Sequence, residues 1–171
     1  MAIWGTPGVG RKCAQPGDRL QFEGPGGSYR PSSDVDWHLY VGDESAFGAI
    51  GASLQALAKD TSALVFAAVV EPGCEINFPS AGSVATHWLY REESDHSENW
   101  IVDAIAAVEL PGGTFDVFVH GEAGEVRAVR QHLAVDRGVD LSDASISPYW
   151  RRRHTDEEWR KSKRLWMAGQ A

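Results

Sequence analysis

The run Leu64-Val-Phe-Ala-Ala-Val-Val70 is apolar on both of the faces that a strand presents. A strand with one wet face alternates apolar and polar residues, so a run without alternation belongs inside a parallel sheet covered on both sides. Four more strand-like runs accompany it: His38-Leu-Tyr-Val41, His87-Trp-Leu-Tyr90, Phe115-Asp-Val-Phe-Val119 and Ser145 to Tyr149. Helical patterns lie between them. Phe47, Ile50, Leu54 and Leu57 share one helical face, and Trp100, Ile101, Ala104, Ile105 and Val108 form another, with Asp95 and Glu98 as its expected capping pair. A third helix is expected from about Ala123 to Asp136, turning Val126, Val129 and Leu133 inward. Strands alternating with helices imply right-handed crossovers, and the predicted fold is α/β: a Rossmann-like parallel sheet with helices on both faces.

The chain has 171 residues, 43% of them hydrophobic, enough for one main core. Residues 1–33 are rich in Gly and Pro and hold one strand-like piece, Arg19-Leu-Gln-Phe22, so they read as a short β remnant and linker. Residues 34–150 carry the α/β pattern, and 151–171 form a C-terminal extension whose helix is capped by Thr155 and Glu158. Trp159 and Trp166 share a face of that helix and would dock either on the domain or on a second copy, as in a homodimer.

Several function classes fall away. A net charge of −8 disfavours nucleic acid as a partner, because phosphate binding needs a clustered positive face. No stretch approaches the roughly 20 apolar residues that span a bilayer, and no leader pattern opens the chain, so a cytoplasmic protein without membrane attachment is expected. Cys13 and Cys74 stand alone, and the six histidines are scattered, so no metal site is assigned. His38, His87 and His120 fall within strands and are read as structural. Gly5-Thr-Pro-Gly-Val-Gly10-Arg11-Lys12 imitates a phosphate loop, but Arg11 takes the lysine position and Pro16-Gly17 interrupts the helix that should follow.

Two turns carry the ligand-binding signal. Gly42-Asp-Glu-Ser-Ala-Phe-Gly48 joins the first strand to the first helix, on the sheet edge where ligands of open α/β sheets collect. Its glycines admit close backbone approach, and a pyrophosphate is placed nearer Ser45 and the following amides than beside the repelling Asp43 and Glu44. An ordinary helix entry, with the acids complementing the dipole, fits the same spacing. Val119-His-Gly121-Glu-Ala-Gly124 repeats the arrangement at a later strand, and two such turns would face one crevice.

Taken in order, Gly42-Asp-Glu-Ser-Ala-Phe-Gly-Ala-Ile50, His87-Trp-Leu-Tyr-Arg91, Gly121-Glu-Ala123 with Val126-Arg-Ala-Val-Arg130, and Tyr149-Trp-Arg-Arg152 resemble the siderophore-interacting protein family. Gln15-Pro-Gly-Asp18 and Gly24-Pro-Gly-Gly-Ser28 extend the resemblance toward the N-terminus. Gly48, Pro148 and His154 depart from it, standing where the family pattern has Pro, Gly and Gly. The resemblance implies a nucleotide-binding domain of the ferredoxin-reductase kind, coupled to an FAD-binding barrel in an enzyme that reduces ferric siderophores for iron release. NADPH or NADH would give hydride to the flavin, which would pass electrons to Fe(III). The family's flavin-binding signature has no counterpart in this sequence. The chain is therefore expected to start near the barrel's end, to lack FAD of its own and to work with a flavin domain in cis or in trans.

The resemblance also implies roles for particular residues. Gly42, Asp43, Glu44, Ser45 and Ala46 would face the nicotinamide end of the cofactor, with Gly121, Glu122 and Ala123 closing the crevice opposite. Arg91 would pair with a 2′-phosphate, or stand as an exposed arginine beside Glu92 and Glu93; Glu71 would accept from a ribose hydroxyl. Tyr149 and Trp150 would take part in cofactor binding, Trp150 either stacking on the flavin face or packing under the terminal helix. Arg151 and Arg152 would attract an anionic ferric siderophore, or form a solvated turn balanced by Asp156, Glu157 and Glu158. No catalytic acid or base is assigned. The competing reading is a non-catalytic nucleotide-binding or dimerising module.

Overall fold

A computed structural model describes residues 29–169 of the chain. The phosphate-loop imitation and the strand-like piece at 19–22 lie outside the described residues. Five parallel strands form one sheet: β1 (Trp37–Asp43), β2 (Ser62–Val69), β3 (Ser83–Tyr90), β4 (Phe115–Glu122) and β5 (Ser145–Trp150), in the order β3-β2-β1-β4-β5. Leu39 of β1 lies between Leu64 of β2 and Val117 of β4 in the register, so the central strands stack apolar on apolar. Every residue of β1 and all but Ser62 of β2 are buried, which answers the unbroken apolar run.

Each face has its own cover. Helix α1 (Phe47–Gln55) buries Phe47, Ile50 and Leu54 against Tyr40, Val65, Ala67 and Phe118. Helices α2 (Trp100–Ala106) and α3 (Ala123–Gln131) bring Ile101, Ile105, Val126 and Val129 onto the opposite face, against Leu39, Val41, Phe66 and Val119. Each fully buried aliphatic or aromatic side chain contributes about 1.5–3 kcal/mol relative to exposure. A π turn over His132–Asp136 prolongs α3 and carries Leu133 into the same core, as the pattern out to Asp136 predicts.

One local expectation differs. Asp95 does not cap α2: its carboxylate accepts from the Ser97 amide at 2.9 Å in a local turn, and the helix starts after Asn99 without a side-chain cap. Asp often closes such short turns in competition with helix, and α2 begins where Trp100 and Ile101 reach the core. The β2–β3 crossover carries no helix. Phe78 from this loop stacks on Trp88 at 5.7 Å and meets Phe47 edge-on at 5.4 Å, covering the sheet with two rings instead of a helical face.

Helix α4 (Asp156–Ala168) opens with the predicted capping box of Thr155 and Glu158. Trp159 is buried and meets Trp166 edge-on at 5.7 Å, while Lys163 Nζ donates to Ser147 Oγ of β5 at 3.1 Å. The helix is thus docked on its own domain.

A ladder of rings climbs β4 on the α1 side, from Tyr29 to Phe118 (4.9 Å), His120 (4.0 Å) and Tyr149 (4.8 Å). Burial pushes the His120 imidazole down to about 4, nearby Lys163 acts in the same direction, and a contact to Ser145 opposes them. His87 is also structural, stacked on Phe66 at 4.9 Å, and His38 is fully buried with Asp116 3.6 Å away.

Two predictions follow from this packing. A Cβ on Gly42 would meet Ala46 Cβ and the His120 carbonyl oxygen at 2.8 Å each. Gly42→Ala should therefore lower the unfolding free energy by about 1–3 kcal/mol, read from the urea midpoint. The unfolded His120 gains its proton near pH 6.5 and the folded one only near 4. Its contribution is present above pH 6.5 and is lost as pH falls through about 4, so protonation of the unfolded chain weakens folding across that window. His120→Phe should abolish that part of the acid sensitivity, on the order of 1–3 kcal/mol between pH 7 and pH 4, in paired urea titrations.

Candidate functional site

The strand order reverses between β1 and β4: β2 and β3 continue to one side, β5 to the other. Helices leaving β1 and β4 cover opposite faces, which opens a crevice at the C-terminal ends of these two strands. Gly42 pairs with His120 in the register, so the two Gly-bearing turns are neighbours. Gly121 has φ +149°, and a Cβ there would stand 2.8 Å from Asp43 Oδ2. Both glycines are held by the approach of the opposite lip.

Three buried carboxylates organise the space between the lips. Asp43 is 1% exposed. Its Oδ1 accepts from the Ser45 amide at 2.9 Å and from the Ser45 hydroxyl; its Oδ2 accepts from the Glu122 amide at 3.0 Å and from Trp150 Nε1 at 2.7 Å. Glu122 caps α3: Oε2 accepts from the amides of Gly124 (2.7 Å) and Glu125 (3.1 Å), while Oε1 accepts from the Arg152 amide at 3.0 Å. Glu125, in the first turn of α3, accepts from Arg91 Nη1 at 2.7 Å, from Trp100 Nε1 at 2.9 Å and from Arg152 Nη2. Hydrogen-bonded and ion-paired acids of this kind are stable in burial, whereas an unpaired one would not be.

These bonds determine what the crevice presents. The N-terminus of α3 is filled by its own Glu122 carboxylate. That of α1 has no side-chain cap and no acid in its first turn. Among the described residues, the Phe47 and Gly48 amides find no acceptor, and a Cβ on Gly48 would meet nothing within 4 Å. The partial positive charge of an open helix start is therefore available on the β1 side only. The interior beneath is closed, leaving only about 10 Å³ between the lips, so a ligand would lie across the strand ends.

Of the residues singled out in the sequence, Gly42, Asp43, Ser45 and Ala46 form one lip, and Gly121, Glu122 and Ala123 the other. Trp150 and Arg152 are drawn in by the carboxylates. Glu44 is exposed, with Oε2 3.8 Å from Arg91 Nη2. Arg91 is not an isolated surface arginine: it is bound to Glu125, lies over the Trp100 ring at 5.5 Å and is 6.0 Å from the Trp150 ring. Arg152 stays partly exposed and donates from Nη1 to the His96 carbonyl at 2.9 Å. Two residues stand apart: Glu71 lies on the rim past β2, and Tyr149 leans on His120 with its phenol raised by burial. Arg151 lines a cleft of about 320 Å³ beside the α3 lip, with Glu98, Glu122, Arg127, Arg152 and Arg153. Glu125 and Trp100 are site members not singled out for ligand binding in the sequence, where Trp100 is read only as core. Their only signal was position, at the start of α3 and α2. Among the described residues no group of three His, Cys, Asp or Glu could hold a metal ion, and no helix is long and apolar enough to cross a membrane.

Comparison with known proteins gives this geometry a context. An uncharacterised protein of Mycobacterium tuberculosis is 38% identical over 94% of this chain and 60% of its own length. The ferric vibriobactin reductase ViuB of Vibrio cholerae is 30% identical over 95% of this chain and 61% of its own. The crystal structure of a siderophore utilization protein from T. fusca superposes with a TM-score of 0.73 at 28% identity, covering 91% of this chain and 59% of that one. The chain thus spans about 60% of the length of these relatives. Residues 35–153, which contain the whole sheet and both lips of the crevice, match the family model for siderophore-interacting protein, and the chain belongs to that family.

Proposed function

We propose that the chain is the NAD(P)H-binding part of a flavin-dependent ferric-siderophore reductase. In this reading residues 34–150 are the nucleotide-binding unit and 151–171 an extension of it, acting in the cytoplasm with a flavin-binding domain supplied in cis or in trans. The V. cholerae relative is a ferric vibriobactin reductase, which supports the substrate class. The observation that carries the reading is the asymmetry of the two helix starts: one sealed by Glu122, the other open at Phe47 and Gly48.

The open amides of Phe47 and Gly48 would hold the pyrophosphate of a dinucleotide, while the Ser45 amide and hydroxyl are both spent on Asp43. Asp43 and Glu122 act as positioning residues, because each carboxylate is saturated by the chain's own donors and fixes the lips without presenting free charge. Trp150, held by Asp43, and Arg91, held by Glu125, give the crevice an aromatic and cationic border. When bound, the dinucleotide supplies a hydride for a flavin, and the flavin delivers single electrons to ferric iron. Fe(II) is held less tightly than Fe(III) by hard oxygen ligands, so reduction releases the metal. In this reading the flavin is held by the partner domain. Arg151, with Arg152 and Arg153 beside it, provides the positive ground toward which an anionic ferric chelate would be drawn.

Calorimetric titration of the purified chain with NADH and with NADPH tests the reading. At least one should bind, and Gly48→Glu, which places a carboxylate against the open amides, should weaken that binding about tenfold or more. The thermal transition should not fall, since the added side chain meets open space, replaces a helical glycine and complements the helix dipole. Gly112→Glu, also in open space but in the α2–β4 connection, is the matched control. Binding of neither nucleotide would favour a non-catalytic module over a reductase.

A further inference from the structure

We infer that the crevice selects NADH over NADPH, with Glu71 as the specificity-determining residue at the end of β2. This deepens the nucleotide-binding reading above and rests on it. In an open sheet of this strand order, the residue just past the second strand is placed to meet the adenosine ribose; an acid there accepts from a 2′-hydroxyl, whereas a 2′-phosphate asks for a cation. Glu71 follows β2 by two residues, is exposed, and makes no hydrogen bond or ion pair through its carboxylate among the described residues. Its charge is therefore uncommitted, in contrast to the carboxylates of Asp43, Glu122 and Glu125.

The surroundings reinforce the choice. The Glu92 amide donates to the Val70 carbonyl at 3.0 Å, which fastens the turn after β3, with its exposed Glu92 and Glu93, beside the end of β2. Glu75 stands on the same rim, holding the Tyr90 hydroxyl at 2.6 Å and the Gly73 amide at 2.7 Å; these bonds keep its carboxyl below the usual range and thus ionised. Between residues 70 and 95 the only Lys or Arg is Arg91. Its guanidinium is bound through Nη1 to Glu125 at 2.7 Å and laid against Trp100, with Nη2 3.8 Å from Glu44, so the carboxylates it meets are those of the crevice. Recruiting Arg91 to a 2′-phosphate would withdraw a charge partner from a Glu125 side chain that is 3% exposed, and removing a partner from a buried ion is costly. A doubly charged phosphate would meet uncompensated carboxylates, while a ribose hydroxyl would find an acceptor.

The test is paired calorimetric titration of the purified chain with NADH and NADPH at moderate salt. The expected result is tighter binding of NADH, by about tenfold or more, with the gap narrowing as salt rises. Glu71→Arg should reverse the order, weakening NADH and strengthening NADPH, and its exposed position makes a folding defect unexpected. Arg91→Gln, checked by its thermal transition, should weaken both nucleotides alike. Tighter binding of NADPH by the unaltered chain, or unchanged preference in Glu71→Arg, would overturn the inference while leaving the nucleotide-binding reading in place. Selective loss of NADPH in Arg91→Gln would do the same by restoring Arg91 as the phosphate ligand. Failure to bind either nucleotide would overturn both.

Discussion

Asp43 joins parts of the chain that no other single group connects. One buried carboxylate receives the Ser45 amide at the entry to α1, the Glu122 amide at the entry to α3 and the indole of Trp150 at the end of β5. A buried acid with fewer donors would be expensive, and these amides without the acid would be unsatisfied helix-entry groups. Each side therefore requires the other, and the crevice at the strand reversal acquires a fixed width. Gly121 follows from the same constraint, since any larger residue would strike the Asp43 carboxylate.

From that fixed width comes the division of labour between the helix starts. Glu122 reaches the first amides of α3 and also holds the Arg152 backbone, so that site is spent on binding the C-terminal segment. The start of α1 keeps its amides. The acids of the two turns are satisfied internally: Asp43 and Glu122 face backbone donors, and Glu125 faces two guanidinium groups and an indole.

The architecture was legible because it rests on periodicity. The unbroken run in β2 required two covered faces, and the stripe Phe47, Ile50, Leu54 and Leu57 marked α1; both describe burial that a strand or helix imposes residue by residue. That both Gly-bearing turns lie on one sheet edge followed from parallel strands alone. What could not be read were convergences from distant elements. Glu125 gathers donors from the ends of β3 and β5 and from α2, and no local spacing announces such a meeting. Arg91 reads in the sequence either as a phosphate partner or as an exposed arginine beside Glu92 and Glu93, and its strand end delivers it inward to Glu125 instead. Asp95 misled for the opposite reason: a purely local turn satisfied it before any helix could use it.

The network also explains why the segment after β5 matters to the crevice without lining its phosphate end. Trp150 and Arg152 are each held by carboxylates of the two lips, so the path of the chain into α4 is set at the strand reversal. Arg91 and Arg152 share one oxygen of Glu125, so a change at either arginine redistributes the same buried charge. Ion pairs in such burial add little net stability against apolar packing of the same volume, but they penalise any arrangement that leaves Glu125 unpaired. The order imposed is positional: the end of β3, the start of α3 and the tail after β5 are kept in a single geometry, which is what a crevice for an extended, charged ligand requires of its walls.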